Sequence, residues 1–272
     1  MVQAREKIYF HIGLHKTATG WFQKCFFPSL SGINTYVIPQ DDAIRRIARQ
    51  KNGTHIISSE SLSGTLSSQK QPGDYRIRTI ERLDFIRSVA PNARIIVGFR
   101  EQESWINSAY LHKAKKGWVS PAAYKATFAM HELLWCEILG IIRERFSQVF
   151  PFLYDEIAES PAALVDDICS FLGCSPPAKL ETLVMRQINP SPQSALGLAV
   201  SRRLSQMVNH MGHMGIIADR RAGMEHAFRI GAFLDRYGTR TRPITFTQDE
   251  RVRLQSDWVA LSDEIKRCRC NR

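Results

Sequence analysis

A chain of 272 residues, 44% of them hydrophobic, can bury a sizeable core as one large domain or at most two small ones, which excludes a disordered protein. Its 37 Lys and Arg against 26 Asp and Glu leave a net charge of +11, so an anionic partner is expected: nucleotide, nucleic acid, acidic glycan or membrane surface. No apolar stretch approaches the roughly 18 residues of a membrane-spanning helix, and MVQAREKIYF at the start lacks the apolar run and cleavage site of a signal peptide. The sequence therefore reads as soluble and cytoplasmic.

In chain order, the first element is the apolar run IYFHIG (8–13), a buried strand that ends at Gly13. A short Lys-Thr loop follows and leads into a helix. HIISS (55–59) reads as a second buried strand. DYRIRTIERLDFIRSVA (74–90) reads as a helix with Ile77, Ile80, Leu83, Phe85, Ile86 and Val89 largely on one side. ARIIVGF (93–99) and QVFPFLY (148–154) are further strands. PAALVDDICSFLG (161–173) is helical and closes on Gly173, a C-terminal cap. Strands alternating with helices imply an α/β fold with a parallel sheet.

Beyond residue 190 the texture changes. NPSPQS is a turn-rich break, and the remainder is helical apart from the basic, irregular RYGTRTRPI (236–244). A last helix starts at TQDE, where Thr247 and Glu250 have capping-box spacing. The expected organisation is a single domain, 1–272, with an α/β core over 1–190 and a helical C-terminal extension over 191–272. The six cysteines have no zinc-ligand spacing. Cys169 falls in an apolar helix and reads as a buried thiol; Cys268 and Cys270 sit at the chain's end.

The loop GLHKTATG carries the chemistry. Backbone N–H groups at the start of a helix point at whatever lies there, and they favour negative charge. Lys16 adds a full positive charge, Thr17 and Thr19 add hydroxyl donors, and Gly20 lets a ligand approach the backbone. These are the components of a phosphate cradle. The loop is not a Walker A motif, which needs a glycine directly before the lysine; here His15 stands in that place. The plainer reading is an ordinary turn with a surface lysine.

The x-G-x-x-K-T-x-T form resembles the 5′-phosphosulfate loop of sulfotransferases, enzymes that use 3′-phosphoadenosine 5′-phosphosulfate (PAPS) as sulfuryl donor. In that family an Arg at the end of a later strand and a Ser eight residues on hold the 3′-phosphate. Arg100 directly follows the strand 95–99, and Ser108 is eight residues later. An Arg fork at a strand's carboxyl edge can grip a phosphate bidentately. Ser108 would reach it only if the next helix starts late or the chain bends back.

FLYDEIAESPAALVDDICSFLG and INPSPQSAL extend the resemblance over roughly residues 8–200. It implies a P-loop-like parallel β-sheet flanked by helices, and it is nearest to bacterial members acting on carbohydrates or lipids. The donor-binding residues it implies are His15, Lys16, Thr17, Ala18, Thr19, Gly20, Trp21, Arg100 and Ser108, with no metal. Two departures stand out. Ala18 replaces the usual Gly, and Gly20 often corresponds to Thr. Ala18 disfavours a positive φ, so the loop must avoid one there or accept strain.

Transfer to an acceptor hydroxyl needs a general base. Glu60, directly after the strand 55–59, should emerge at the same carboxyl edge as Lys16 and Arg100. Carbohydrate-modifying members of the family use a Glu in such a role. Rivals are His112, downstream of Ser108, since the small-molecule branch uses a His, and His15. Plainer roles for Glu60 are capping a helix or pairing with a lysine. His11 and His55 lie in strands and read as satisfied sheet histidines. His210 and His213 lack an acidic partner for a metal site. Lys113, Lys115, Lys116, Arg236, Arg240 and Arg242 read as solvated basic runs or as attractors for an anionic acceptor.

The leading function is PAPS-dependent transfer to a hydroxyl (or an amine) of a carbohydrate, lipid or small molecule. A kinase with a degenerate phosphate loop and an anion-binding module without activity are the alternatives. No nucleic-acid motif is present, and the aromatics are not interleaved with the basic runs. Acceptor choice falls to residues 60–75, 115–130 and 200–245, and the oligomeric state is open.

Overall fold

The computed structural model describes residues 7–37, 40–50, 52–64, 66, 70–114, 119–178, 194–214, 216, 219–234 and 242–270. The apolar runs become strands β1 (Lys7–Gly13), β3 (Thr54–Ser59), β4 (Arg94–Phe99) and β5 (Gln148–Leu153). Their inner residues are buried, as expected for strands of a parallel sheet covered on both faces. A further strand, β2 (Ile33–Val37), completes a five-stranded sheet of order β2-β3-β1-β4-β5, with all neighbours parallel. The sequence reading missed β2. Its residues INTYV form an edge strand paired only with β3 and are half-buried or exposed, so no continuous apolar run marks it. Pro151 lies within β5, and β5 is the other edge, where a missing N–H is tolerated.

The register places the carboxyl ends of the central strands side by side. Ile12 pairs with Ser59, Gly13 with Gly98, and Phe99 with Leu153. After β1 the chain turns to the β3–β2 side, whereas β4 leads to β5 on the other side. The sheet therefore changes direction between β1 and β4. In open α/β sheets, ligands bind in the crevice outside the carboxyl ends at such a switch point.

Among the described residues the α-helices are α1 (Thr19–Trp21), α2 (Asp41–Ile47), α3 (Asp74–Val89), α4 (Gln102–Ala114), α5 (Pro121–Lys125), α6 (Trp135–Arg145), α7 (Glu156–Glu159), α8 (Pro161–Leu172), α9 (Ala195–His213), α10 (Arg220–Leu234) and α11 (Gln248–Cys270). Helix α8 ends on Gly173 in the left-handed conformation, with Cys174 N–H bonded to the Cys169 carbonyl 3.0 Å away, as the C-cap reading required. Cys169 is buried. Helix α11 opens directly after Thr247. The buried stripe of α3 differs from the predicted one. Tyr75, Thr79, Leu83 and Ile86 face inward, and Ile77 is 56% exposed. Helical geometry explains this: the 75–79–83–86 spacing makes one continuous face, and position 77 points away from it. Phe85 instead lies under two guanidinium groups, Arg82 at 4.6 Å and Arg45 at 5.0 Å.

The chain divides into two compact units. The first comprises Met1–Gln102, Phe128–Arg186 and Gln248–Arg272, and the second Glu103–Thr127 and Gln187–Thr247. The first holds the sheet, and α11 packs in it on α6 and β5 through Leu254, Leu261 and Ile265. Two ion pairs support that packing, Arg143 with Glu264 and Arg269 with Glu156. In the second unit α9 and α10 pack closely, with Ser201 Oγ donating to the Ala227 carbonyl at 3.2 Å. The Asn107 side chain there exchanges two hydrogen bonds with the backbone of Ile244, at 2.9 and 3.1 Å. Among the described residues no helix is long and apolar enough to cross a membrane.

Candidate functional site

The loop between β1 and α1 is held from below and behind. An aromatic cluster of Trp21, Phe22, Phe26 and Phe27 follows it, built on a turn in which Phe27 N–H reaches back five residues to the Phe22 carbonyl. Trp21 is buried there, stacked on Phe26, so its ring is part of the core. Gly13 is forced by proximity: a Cβ on it would stand 2.1 Å from Thr19 Oγ1. The Gly13 carbonyl accepts from Ser63 Oγ at 2.8 Å.

Within the loop, Lys16 (φ 65) and Ala18 (φ 62) both take the left-handed conformation, and Thr17 between them does not. Such alternation is the backbone pattern of an anion-binding nest. The loop therefore accepts the strain at Ala18 that the sequence left as one of two choices, at a cost of about 1–3 kcal/mol for each such residue. Thr17 and Thr19 are 0% and 1% exposed, and neither hydroxyl has a hydrogen-bond partner among the described residues. A buried hydroxyl without a partner costs about 1–3 kcal/mol. Lys16 and Gly20 are half-buried.

Arg100 follows β4 across the switch point. Its Nη1 donates to the Lys16 carbonyl at 3.3 Å, which ties the two strand-end segments together. The guanidinium lies 4.5 Å from the centroid of the Tyr154 ring, and the Arg100 carbonyl accepts from Trp135 Nε1 at 2.7 Å. Trp135 is fully buried at the start of α6, where Asp257 of α11 accepts from Trp135 N–H at 2.7 Å, Cys136 N–H at 3.2 Å and Gln102 Nε2 at 2.7 Å. The sequence reading puts Tyr154 at the end of the strand run 148–154, whereas β5 ends at Leu153 and Tyr154 follows it. Asp257 carried no sequence signal, because it lies 157 positions from the arginine it helps to seat.

Glu60 directly follows β3, so it shares the carboxyl edge with the loop and with Arg100. Its carboxylate is 3.5 Å from His15 Nδ1, and its side chain is 47% exposed. His15 Nε2 donates to the Gly64 carbonyl at 2.9 Å. Ser63 Oγ shares its one proton between the Gly13 carbonyl and the Glu60 carbonyl, 3.0 Å away, and Thr79 Oγ1 donates to the Ser63 carbonyl at 2.9 Å. The turn 60–64 is thus fixed to both β1 and α3. Below it, His11 is completely buried among Phe22, Phe27 and Phe152. Burial pushes its pKa down to about 3 from 6.5, against the opposing pull of the Glu60 charge, so it is a neutral core residue. His11 Nδ1 shares a 2.8 Å hydrogen bond with Ser58 Oγ. His55 is also buried, bonded to the Asn52 carbonyl at 2.9 Å.

The structure thus gathers His15, Lys16, Thr17, Ala18, Thr19, Gly20, Glu60 and Arg100 at one end of the first unit's sheet. Ser108 and His112 lie one helical turn apart on α4, both half-buried, in the stretch assigned to the second unit. Helix α4 opens at Gln102, two residues after Arg100, so it does not have the late start considered for Ser108. Lys113 lies 5.6 Å from the Tyr124 ring centroid. Lys115, Lys116, Arg236, Arg240 and the greater part of INPSPQSAL lie outside the described residues.

No protein-family model matches the sequence, and no curated protein matches it. Among solved structures the chain is similar to a sulfotransferase from Alicyclobacillus acidocaldarius, at 16% identity and a TM-score of 0.46, over 81% of this chain and 95% of that one. It is also similar to mouse sulfotransferase SULT7A1 complexed with PAP, at 13% identity and a TM-score of 0.41, over 67% of this chain and 63% of that one. Likeness of this degree decides neither activity nor ligand.

Proposed function

We propose that the chain is a sulfotransferase that moves a sulfuryl group from PAPS to a hydroxyl, or less favourably an amine, of a carbohydrate, lipid or small-molecule acceptor. The observation that carries this reading is the pair of buried hydroxyls, Thr17 and Thr19, without partners among the described residues, in a strained loop at the switch point. An oxyanion with several lone pairs would satisfy both. The order Lys-Thr-x-Thr, followed by Arg100 at the next strand end, matches the resemblance in the sequence and favours a phosphosulfate over a nucleoside triphosphate, whose loop has a glycine before the lysine.

PAPS, when bound, supplies a sulfuryl group on a phosphate leaving group. Lys16 would offset the negative charge that builds on the leaving oxygen, and the Thr17 and Thr19 hydroxyls would donate to the same anion. Arg100 would grip the 3′-phosphate with its guanidinium fork, in the role the resemblance gives it, held in place by Tyr154 and Lys16. The resemblance gives the second part of that role to Ser108, which lies on α4, a helix already open at Gln102. Glu60 is the first choice for the base that removes the acceptor's proton, and His112 is the second. Ala18 and Gly20 depart from the family's loop, and Gly20 removes one possible hydroxyl contact.

The test is transfer of label from sulfur-35 PAPS to a panel of hydroxyl acceptors. The proposal expects a labelled product with wild type and none with Lys16→Ala. Glu60→Gln and His112→Asn, compared in the same assay, would identify the base. A wild-type protein that labels none of a broad acceptor panel and binds no bisphosphate nucleotide would leave the proposal without support.

A further inference from the structure

His15 stands beside Lys16 in the loop after β1. Its side chain is 13% exposed, and its contacts include two directed approaches. Nε2 is 2.9 Å from the Gly64 carbonyl, and Nδ1 is 3.5 Å from Glu60 Oε2. A carbonyl oxygen can only accept, so Nε2 carries a proton. In the neutral ring Nδ1 is then a lone pair facing a carboxylate oxygen. That arrangement is attractive only when a proton lies between the two atoms.

The anchor of the ring is itself fixed. Gly64 has φ +84, and a Cβ there would stand 3.1 Å from Arg78 Cβ, so the residue must be glycine to bring its carbonyl to His15. Ser63 ties the same turn to Gly13, the last residue of β1. The Nε2 side of the ring is therefore held by a fixed backbone carbonyl, and the Nδ1 side is left toward the Glu60 carboxylate. Among the described residues, the charged groups on the segments packed at this turn include Glu60 after β3, Lys16 in the same loop, Arg100, which reaches the Lys16 carbonyl, and Arg78 on α3 beside Gly64, which pairs with Asp74.

Resting on the reading of Glu60 as the base, we propose that His15 is a positioning residue for it, with Nδ1 placed to accept a hydrogen bond from the protonated carboxyl. The O–H bond of the acceptor breaks, its electron pair stays on the acceptor oxygen, and the proton forms a new O–H bond on Glu60. That O–H then donates to Nδ1, which holds the proton between the two side chains until water removes it. The Nε2–H goes on donating to the Gly64 carbonyl throughout. Stabilising the protonated carboxyl strengthens Glu60 as a base without making His15 touch the acceptor.

Two substitutions separate this role from a loop staple. His15→Gln keeps a donor near the Nε2 position for Gly64 and removes the group facing Glu60. His15→Asn keeps an amide near the Nδ1 position and loses the tie to Gly64. The inference expects His15→Gln to lower kcat about tenfold to a hundredfold, a range set by outer-shell partners of reactive groups, with the donor KM changed less than about threefold. His15→Asn should recover most of kcat. The reverse ranking would overturn the role. A readout without turnover is the nitrogen-15 spectrum of the histidine rings, with His15 assigned by its loss in His15→Gln. The expected pattern is a proton on Nε2 and an Nδ1 resonance that moves in Glu60→Gln, where a donor faces it. An Nδ1 resonance unaffected by Glu60→Gln would overturn the inference. This spectrum stands whether or not the protein binds a bisphosphate nucleotide, so failure of the functional reading and failure of the His15 role are separable.

Discussion

The turn at Gly73–Arg76 and the loop at His15–Gly20 both bury hydrogen-bond donors, and they differ in what meets those donors. At the first, the buried carboxylate of Glu132 accepts from four backbone N–H groups: Gly73 and Tyr75 at 2.8 Å, Arg76 at 3.0 Å and Ala129 at 2.7 Å. It caps the start of α3, the end of a helix that favours negative charge. At the second, two buried threonine hydroxyls have no partner among the described residues, and two residues other than glycine are held at positive φ. The same physics thus gives stability where the chain provides its own anion. Where strain and unmet donors persist, it points to a ligand from outside.

The sharpest contrast is between removing the charge of one region and the anion of the other. Lys16→Ala should lower kcat about 10²–10³-fold or more, the scale of losing one charge-stabilising donor. It should leave the unfolding midpoint in urea nearly unchanged. Glu132→Ala should do the opposite. Of the four N–H groups only the Tyr75 bond is fully buried, and an N–H left there without an acceptor costs about 1–3 kcal/mol. With the other three partly rehydrated, a loss of about 3 kcal/mol or more of unfolding free energy is expected, with bisphosphate affinity little changed in the folded fraction. A Lys16→Ala protein that unfolds as easily as Glu132→Ala would break the distinction.

A smaller effect probes the strand beneath the loop. The folded pKa of His11, about 3, lies below its ordinary 6.5. Between those values the unfolded chain binds a proton that the folded chain does not, so stability rises with pH across the window and falls on acidification through it. The slope from this residue is at most about 1.4 kcal/mol per pH unit. Urea midpoints measured from pH 7 to 4 should show it, and His11→Asn should flatten it. The smallest effect is at Ala18. Glycine there removes the left-handed strain, about 1–2 kcal/mol, but adds backbone entropy to the unfolded chain, about 0.5–1 kcal/mol. A net gain near 0.5 kcal/mol is expected by chemical denaturation.

Much of this was legible in the sequence, for reasons that name its limits. β1, β3, β4 and β5 are continuous apolar runs because they are buried on both faces, and their ends placed Lys16, Glu60 and Arg100 at one edge. β2 was illegible because an edge strand need not be apolar. Ile77 misled because hydrophobicity alone does not say which side of α3 packs, whereas Tyr75 and Thr79 fill that side. Glu132 and Asp257 carry no motif: each does its work on backbone N–H groups far away in sequence, 57 residues for Tyr75 and 122 for Trp135. The left-handed state of Lys16 could not be read either, since lysine rarely adopts it and only the completed loop imposes it.

The measurement that bears most directly on the central claim is calorimetric titration of the purified protein with adenosine 3′,5′-bisphosphate, with AMP and ATP–magnesium alongside. The account predicts clear binding of the bisphosphate and little of AMP. It also predicts a loss of about 2–3 kcal/mol in Arg100→Ala, the scale of removing a charged hydrogen-bond partner. Binding of ATP–magnesium in preference to the bisphosphate, or bisphosphate binding that is indifferent to Arg100, would contradict it.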